Sequence, residues 1–211
     1  MSLELNALAV SPSSSARPLF PSLTLSVPAG EVTTVMGPSG IGKSTLLDAI
    51  GGHLGPGFAV SGQASLNGLD LIGLPPERRR IGMLFQDAMM FPHLSVGGNL
   101  AFGLSRRIKG ARARRAAVEA ALEQAGLAGF YDRDPATLSG GERTRAALMR
   151  ALLADPHALL LDEPFSKLDA QMRDEIHAFV FAHIRQRAIP CLMVTHDVQD
   201  ADAAGGVVVR L

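Results

Sequence analysis

One stretch narrows the possible folds more than any other: Gly37-Pro-Ser-Gly-Ile-Gly-Lys-Ser-Thr45. It follows the apolar run 32–36 and leads into a second apolar-rich segment, so a short buried strand must turn at once into a helix. The glycines let backbone N–H groups face an anion, and a helix N-terminus adds partial positive charge. On that chemistry Gly37, Pro38, Ser39, Gly40, Ile41, Gly42, Lys43, Ser44 and Thr45 are expected to cradle the phosphates of a nucleotide. Lys43 would reach the β- and γ-phosphates, and the Ser44 hydroxyl would hold Mg²⁺.

The rest of the chain suits such a loop. Residues 3–10 and 23–27 alternate like strands, with a Ser/Pro loop at 11–18 between them. A helix is expected over about 44–53, a hairpin around Asn67-Gly68 and a strand over 81–85 that ends at Gln86. From 87 to 150 helical periodicity takes over. Ser95 caps one helix, 111–124 forms a second that Gly126 ends, and Ser139 opens a third. After Pro156 the alternation returns, with strands at 158–161, 191–194 and 207–211 and a helix over 168–187. Continuous apolar strands between helices imply an α/β fold with a mostly parallel sheet. The helical stretch 87–150 is then an insertion into a single domain spanning 1–211.

Two further motifs carry chemistry. The run "LLLLDEP" places Asp162 at the carboxyl edge of the sheet, where α/β folds bind ligands. Asp162 can hold Mg²⁺ there, and Glu163 is placed to polarise an attacking water. In "LSGGE", Ser139 and Glu142 have the spacing of a capping box. That box does not explain Gly140 and Gly141, since glycine in a helix costs about 1 kcal/mol relative to alanine. Bare backbone at a helix N-terminus is a second anion site, to be filled by another phosphate-bearing partner or a second copy of the chain.

Twenty basic and 20 acidic residues leave no net charge, which argues against a nucleic-acid binder. A basic run at 106–115, with Lys109, Arg112 and Arg114, reads as a solvated helix face, with contact to an anionic leaflet as the alternative. The single Cys191 precludes an internal disulfide and is expected to be a buried, inert thiol. The N-terminus lacks the basic region of a signal peptide, and no apolar run is long enough to span a bilayer, so a cytoplasmic protein is expected. His53, His93, His157, His177 and His183 read as surface or loop residues.

"GPSGIGKST", Gln86, "LSGGE", "LLLLDEP", "SKLD" at 166–169 and "THD" around His196 occur together in this order. In this the chain resembles the nucleotide-binding subunit of an ATP-binding cassette (ABC) transporter over nearly its whole length. The resemblance implies a P-loop NTPase core of RecA type in 1–86 and 151–211, with an antiparallel β subdomain, and a helical insertion at 87–150. It implies a homodimer that binds two ATP head to tail, in which Ser139, Gly140, Gly141 and Asp169 act on the nucleotide held by the opposite copy. Gln86 would contact Mg²⁺ and the attacking water, and His196 the γ-phosphate. The family usually places an aromatic ring in the first loop to stack on adenine. Here the only ring there is Phe20, closer to the phosphate loop, so weak discrimination between ATP and GTP is expected, with adenine covered by a shifted Phe20 as the alternative.

The stretch "FQDAMMFPHLSVGGNLAFGL" is similar to the importer pattern, close to importers of polyamines, iron(III), thiamine and oxyanions, and regulation through the C-terminal domain that many of those ATPases carry is not expected. Implied partners are integral membrane permease subunits, one of whose short cytoplasmic helices would meet Met89, Met90 and Phe91, and indirectly a substrate-binding protein. The implied place is the cytoplasmic face of the inner or plasma membrane. The alternatives are the ATPase of an export or lipid-extraction system with separate membrane subunits, and a non-transport ABC ATPase.

Overall fold

The computed structural model describes residues 1–15 and 17–211, and Gln171 by its backbone alone. Ala16, within the expected Ser/Pro loop, lies outside the described residues. In chain order the elements are β1 (Ser2–Pro12), β2 (Leu23–Pro28), β3 (Val32–Met36), α1 (Lys43–Gly51), β4 (Phe58–Leu66), β5 (Leu69–Asp70), α2 (Pro76–Arg79) and β6 (Ile81–Leu84). There follow α3 (Val96–Gly103), α4 (Ala111–Gln124), α5 (Gly140–Leu153), β7 (Ala158–Asp162), α6 (Ala170–Arg187), β8 (Cys191–Thr195), α7 (Val198–Ala204) and β9 (Val208–Arg210). The chain forms two compact units, one of 1–83, 157–163 and 181–211, the other of 84–156 and 164–180.

In the first unit, β2-β1-β4-β5 form an antiparallel sheet and β6-β7-β8-β3-β9 a second sheet. In the latter β3 runs parallel to β8 and β9, and β7 parallel to β8. Buried on both faces, β3 and β8 are apolar apart from their threonines, as expected of strands covered by helices. One apolar cluster joins both sheets to α1: Leu3, Leu5 and Leu8 meet Val35, Leu46, Leu47, Ile50, Leu160, Leu192 and Val194. Each such side chain contributes about 1.5–3 kcal/mol by leaving water. Phe20 belongs to this cluster and is only 2% exposed. Cys191 is fully buried, and burial pushes its thiol pKa far up, so it is inert.

The second unit is helical. Ser95 caps α3 by accepting from Gly98 N at 3.1 Å. The buried Asn99 amide ties the preceding loop down, accepting from Phe91 N at 2.7 Å and donating to Phe91 O at 3.1 Å. Arg114, on α4, donates to Ala101 O at 2.8 Å and Ile108 O at 3.2 Å.

Three expectations are corrected here. α6 begins at Ala170 rather than Leu168, because the Asp169 carboxylate accepts from Met172 N at 2.9 Å and caps the helix. β1 runs to Pro12, beyond the expected end at residue 10, since Ser11 and Pro12 still pair with Ala59 and Phe58 of β4. His177 is not a surface or loop residue: it lies buried on α6 with its ring edge-on to Phe165, centroids 4.3 Å apart.

Candidate active site

The loop between β3 and α1 is wrapped around its own lysine. Lys43 Nζ donates to Gly37 O at 2.8 Å and Pro38 O at 3.1 Å, and its side chain is 5% exposed. Gly42 stands at φ +105°, and Leu19 and Phe20 pack so close that a Cβ there would meet both at 3.1 Å. Only glycine fits both conditions. The one ring of the first loop, Phe20, therefore serves as the floor of the phosphate loop.

β7 delivers two carboxylates to the same unit. Ser44 Oγ donates to Asp162 Oδ1 at 3.0 Å. Burial raises the Asp162 pKa above the ordinary carboxylate range, a shift that the Ser44 bond opposes. A half-buried carboxylate beside a hydroxyl is a hard oxygen pair of the kind Mg²⁺ uses. The residues thus fit the ion.

Glu163 follows at φ +42°, a left-handed conformation that costs a non-glycine residue about 1–2 kcal/mol. Its N–H donates to Val194 O at 2.9 Å, which fixes the strained turn. The carboxylate then faces two nitrogens, Lys43 Nζ at 3.6 Å and His196 Nδ1 at 3.1 Å. His196 is 52% exposed, so its ring lies at the mouth of the site. The turn carrying it is held by Thr195 of the THD motif and by Asp200, which motif reading missed. Thr195 Oγ1 donates to the buried Asp200 Oδ2 at 2.9 Å and accepts from Asp197 N at 3.1 Å. An aspartate five residues after a strand-end threonine was the available signal.

The remaining candidates belong to the second unit. Gln86 Nε2 lies 3.5 Å from Ser166 Oγ, and Lys167 pairs with Asp87. Ser139 and Glu142 form the full capping box: Ser139 N donates to Glu142 Oε2 at 2.7 Å and Glu142 N to Ser139 Oγ at 3.3 Å. The Ser139 N–H holds the Glu142 pKa below its ordinary value. The two glycines differ. Gly140 is exposed, and a Cβ there would meet nothing nearer than Leu168 at 3.7 Å. Gly141 is buried, and a Cβ there would collide with the Met172 thioether. Gly141 thus has a packing reason of its own, whereas nothing within the unit requires glycine at 140.

The family model described as ABC transporter matches residues 20–166. The uncharacterized ABC transporter ATP-binding protein YnjD of Escherichia coli K12 is 50% identical over 189 residues, covering 90% of this chain and 87% of that protein. The sulfate/thiosulfate import ATP-binding protein CysA of Mycobacterium tuberculosis H37Rv is 45% identical over 83% of this chain, which spans only 49% of CysA. The thiamine import ATP-binding protein ThiQ of Escherichia coli K12 is 42% identical, covering 84% of this chain and 75% of ThiQ. Among solved structures, dimeric MJ0796, a bacterial ABC transporter cassette, superposes with a TM-score of 0.82 at 27% identity, covering 99% of this chain and 94% of that one. A post-hydrolysis state of the same cassette bound to ADP and Pi gives 0.81 at 27% identity, covering 100% and 94%.

Proposed function

The chain belongs to the ABC transporter family as an ATP-binding, ATP-hydrolysing subunit, and from that premise we propose that it powers solute import as a homodimer beneath two membrane permease subunits. The observation that carries the chemistry is the cluster of Lys43, Ser44, Asp162, Glu163 and His196 around one strand-to-helix loop. Residues 37–45 bind the ATP phosphates, with Lys43 exchanging loop carbonyls for phosphate oxygens. Ser44 and Asp162 would hold Mg²⁺, which would offset the charge of the phosphate oxygens. Glu163 orients and deprotonates the attacking water, and His196 directs it towards the γ-phosphate. Ser139, Gly140, Gly141 and Asp169 serve the ATP of the opposite copy, as the head-to-tail dimer requires.

Import is favoured over export because two similar proteins with named cargo, CysA and ThiQ, are import ATPases. The permease would dock on the second unit at a groove of about 390 Å³ lined by Asp87, Met89, Met90, Pro92, Pro135 and Arg143. Met89 is 66% exposed there, and thioether side chains repack readily around a partner helix. The subunit then sits at the cytoplasmic face of the membrane without spanning it, as no helix among the described residues is long and apolar enough to cross. The test is reconstitution with candidate permeases. ATP-dependent uptake into cells that needs the subunit and a secreted binding protein supports import, whereas uptake into inside-out vesicles overturns it.

A further inference from the structure

The absence of net charge conceals a segregation. Residues 88–118 contain Arg106, Arg107, Lys109, Arg112, Arg114 and Arg115 and not one Asp or Glu. Removing these six cations from the total leaves 14 basic against 20 acidic residues, so a short cationic segment sits in an otherwise acidic chain. The structure sorts the six by use. Arg114 is spent on the carbonyls of Ala101 and Ile108, and thereby fastens the 104–110 connection to α3 and α4. Arg107 pairs with Asp155 at 3.1 Å, and Arg115 with Glu119 at 2.8 Å. Arg106, Lys109 and Arg112 are exposed and make no hydrogen bond or ion pair among the described residues.

An apolar ring accompanies them. Phe102, near the end of α3, is 71% exposed and touches Phe91 only edge-on, centroids 4.7 Å apart. The Arg114 guanidinium bonds its neighbour Ala101 and Lys109's neighbour Ile108, which keeps ring and cations in one patch. We propose that this patch binds anionic lipid headgroups of the bilayer beside the permease, with Phe102 reaching into the interface. A membrane offers negative charge at its surface and hydrocarbon just beneath, which is what a ring set among unpaired cations matches. A nucleic-acid duplex, with its bases stacked inside, would satisfy the cations without taking the ring out of water, and a single strand that stacks a base on Phe102 is separated by the RNA arm of the test below. Reliance on the transporter reading extends only to what brings the subunit to a membrane.

Sedimentation of the purified subunit with vesicles tests this without a permease. Vesicles of phosphatidylcholine mixed with phosphatidylglycerol should carry the protein down at low salt, and phosphatidylcholine alone should not. High salt should release it. The triple variant Arg106→Gln, Lys109→Gln, Arg112→Gln should lose about fivefold per cation, on the order of a hundredfold together. Phe102→Ser should weaken binding while leaving its salt dependence intact. Both variants should keep wild-type melting temperature and ATPase rate. Equal binding to neutral and anionic vesicles, a triple variant that binds like wild type, or preference for an RNA oligonucleotide over the vesicles each overturns the proposal. Assembly with the permease in detergent reads the import model separately, so either can fail alone.

Discussion

Glu163 Oε2 lies 3.1 Å from His196 Nδ1 while Oε1 of the same carboxylate lies 3.6 Å from Lys43 Nζ. One side chain therefore connects the phosphate-binding lysine to the histidine at the mouth of the site. For the 3.1 Å approach to be attractive, Nδ1 must carry its proton. The left-handed backbone at Glu163 is what aims the carboxylate between the two nitrogens.

Replacing that carboxylate by an amide keeps its shape and removes its basicity. Glu163→Gln should bind ATP as tightly as wild type and hydrolyse it about 10²–10⁴-fold more slowly. It should also accumulate as an ATP-bound dimer in size-exclusion runs with Mg²⁺. Near-normal turnover would remove Glu163 from the chemistry, and a persistent monomer would count against the head-to-tail arrangement.

The two signature glycines separate folding from phosphate contact. Gly140→Asp brings its Cβ into no more than ordinary contact with Leu168, so the subunit should melt normally and bind ATP as a monomer yet lose hydrolysis and ATP-driven dimerisation. Gly141→Ala presses on Met172 and should cost about 1–3 kcal/mol in urea unfolding. Gly140→Asp turning over ATP at the wild-type rate would refute a role for this residue in trans.

Asp162 ties stability to pH. Its folded-state pKa is raised by burial, so ionisation weakens the fold as pH rises through the ordinary carboxylate range, and the full penalty applies above the raised value. Asp162→Asn should therefore melt higher than wild type at neutral pH, with the gap closing as pH falls to where wild-type Asp162 is also protonated. The same variant should lose Mg²⁺-dependent ATP hydrolysis. A gap that widens in acid would contradict the assignment.

Asp200 positions His196 through Thr195. Asp200→Asn keeps the size but makes the partner of Thr195 Oγ1 a neutral amide oxygen, and should lower kcat with little change in ATP affinity. Asp200→Ala leaves the buried hydroxyl without an acceptor and should cost about 1–3 kcal/mol of stability. If both variants match wild type in kcat, the turn after β8 is merely structural.

Phe20 lies in the core cluster, 2% exposed. Phe20→Ala should cost about 3–5 kcal/mol in unfolding experiments. ATP and GTP should bind the wild type with similar affinity, and the variant should weaken both alike. A strong ATP preference that vanishes with Phe20 would show that the ring reaches adenine after all.

Local spacing made the strand, loop and helix around Lys43 legible, because glycine freedom, lysine reach and helix capping act within a few residues. The same holds for the Ser139–Glu142 box and for the parallel sheet, whose apolar strands stand out between helices. Legibility failed wherever a residue answers to a distant part of the chain. Phe20 under Gly42, Met172 over Gly141 and Phe165 against His177 leave no periodic trace. The start of α6 moved for a subtler reason, since Asp169 reads equally well as helix or cap until its carboxylate is seen bonding Met172 N.

β3, which presents the phosphate loop, has only β8 and β9 as neighbours in its sheet. During synthesis it therefore waits, with both edges unpaired, until residues 191–210 have left the ribosome. Such long-range closure is slow, and it leaves an apolar strand open to misassociation meanwhile. Chains that stop early cannot seat the loop in its sheet, so a prematurely terminated product should be unable to burn ATP and should fall to chaperones and proteases instead. Nucleotide capture in this protein therefore depends on two strands made late, β8 and β9, although the loop that performs it is made early.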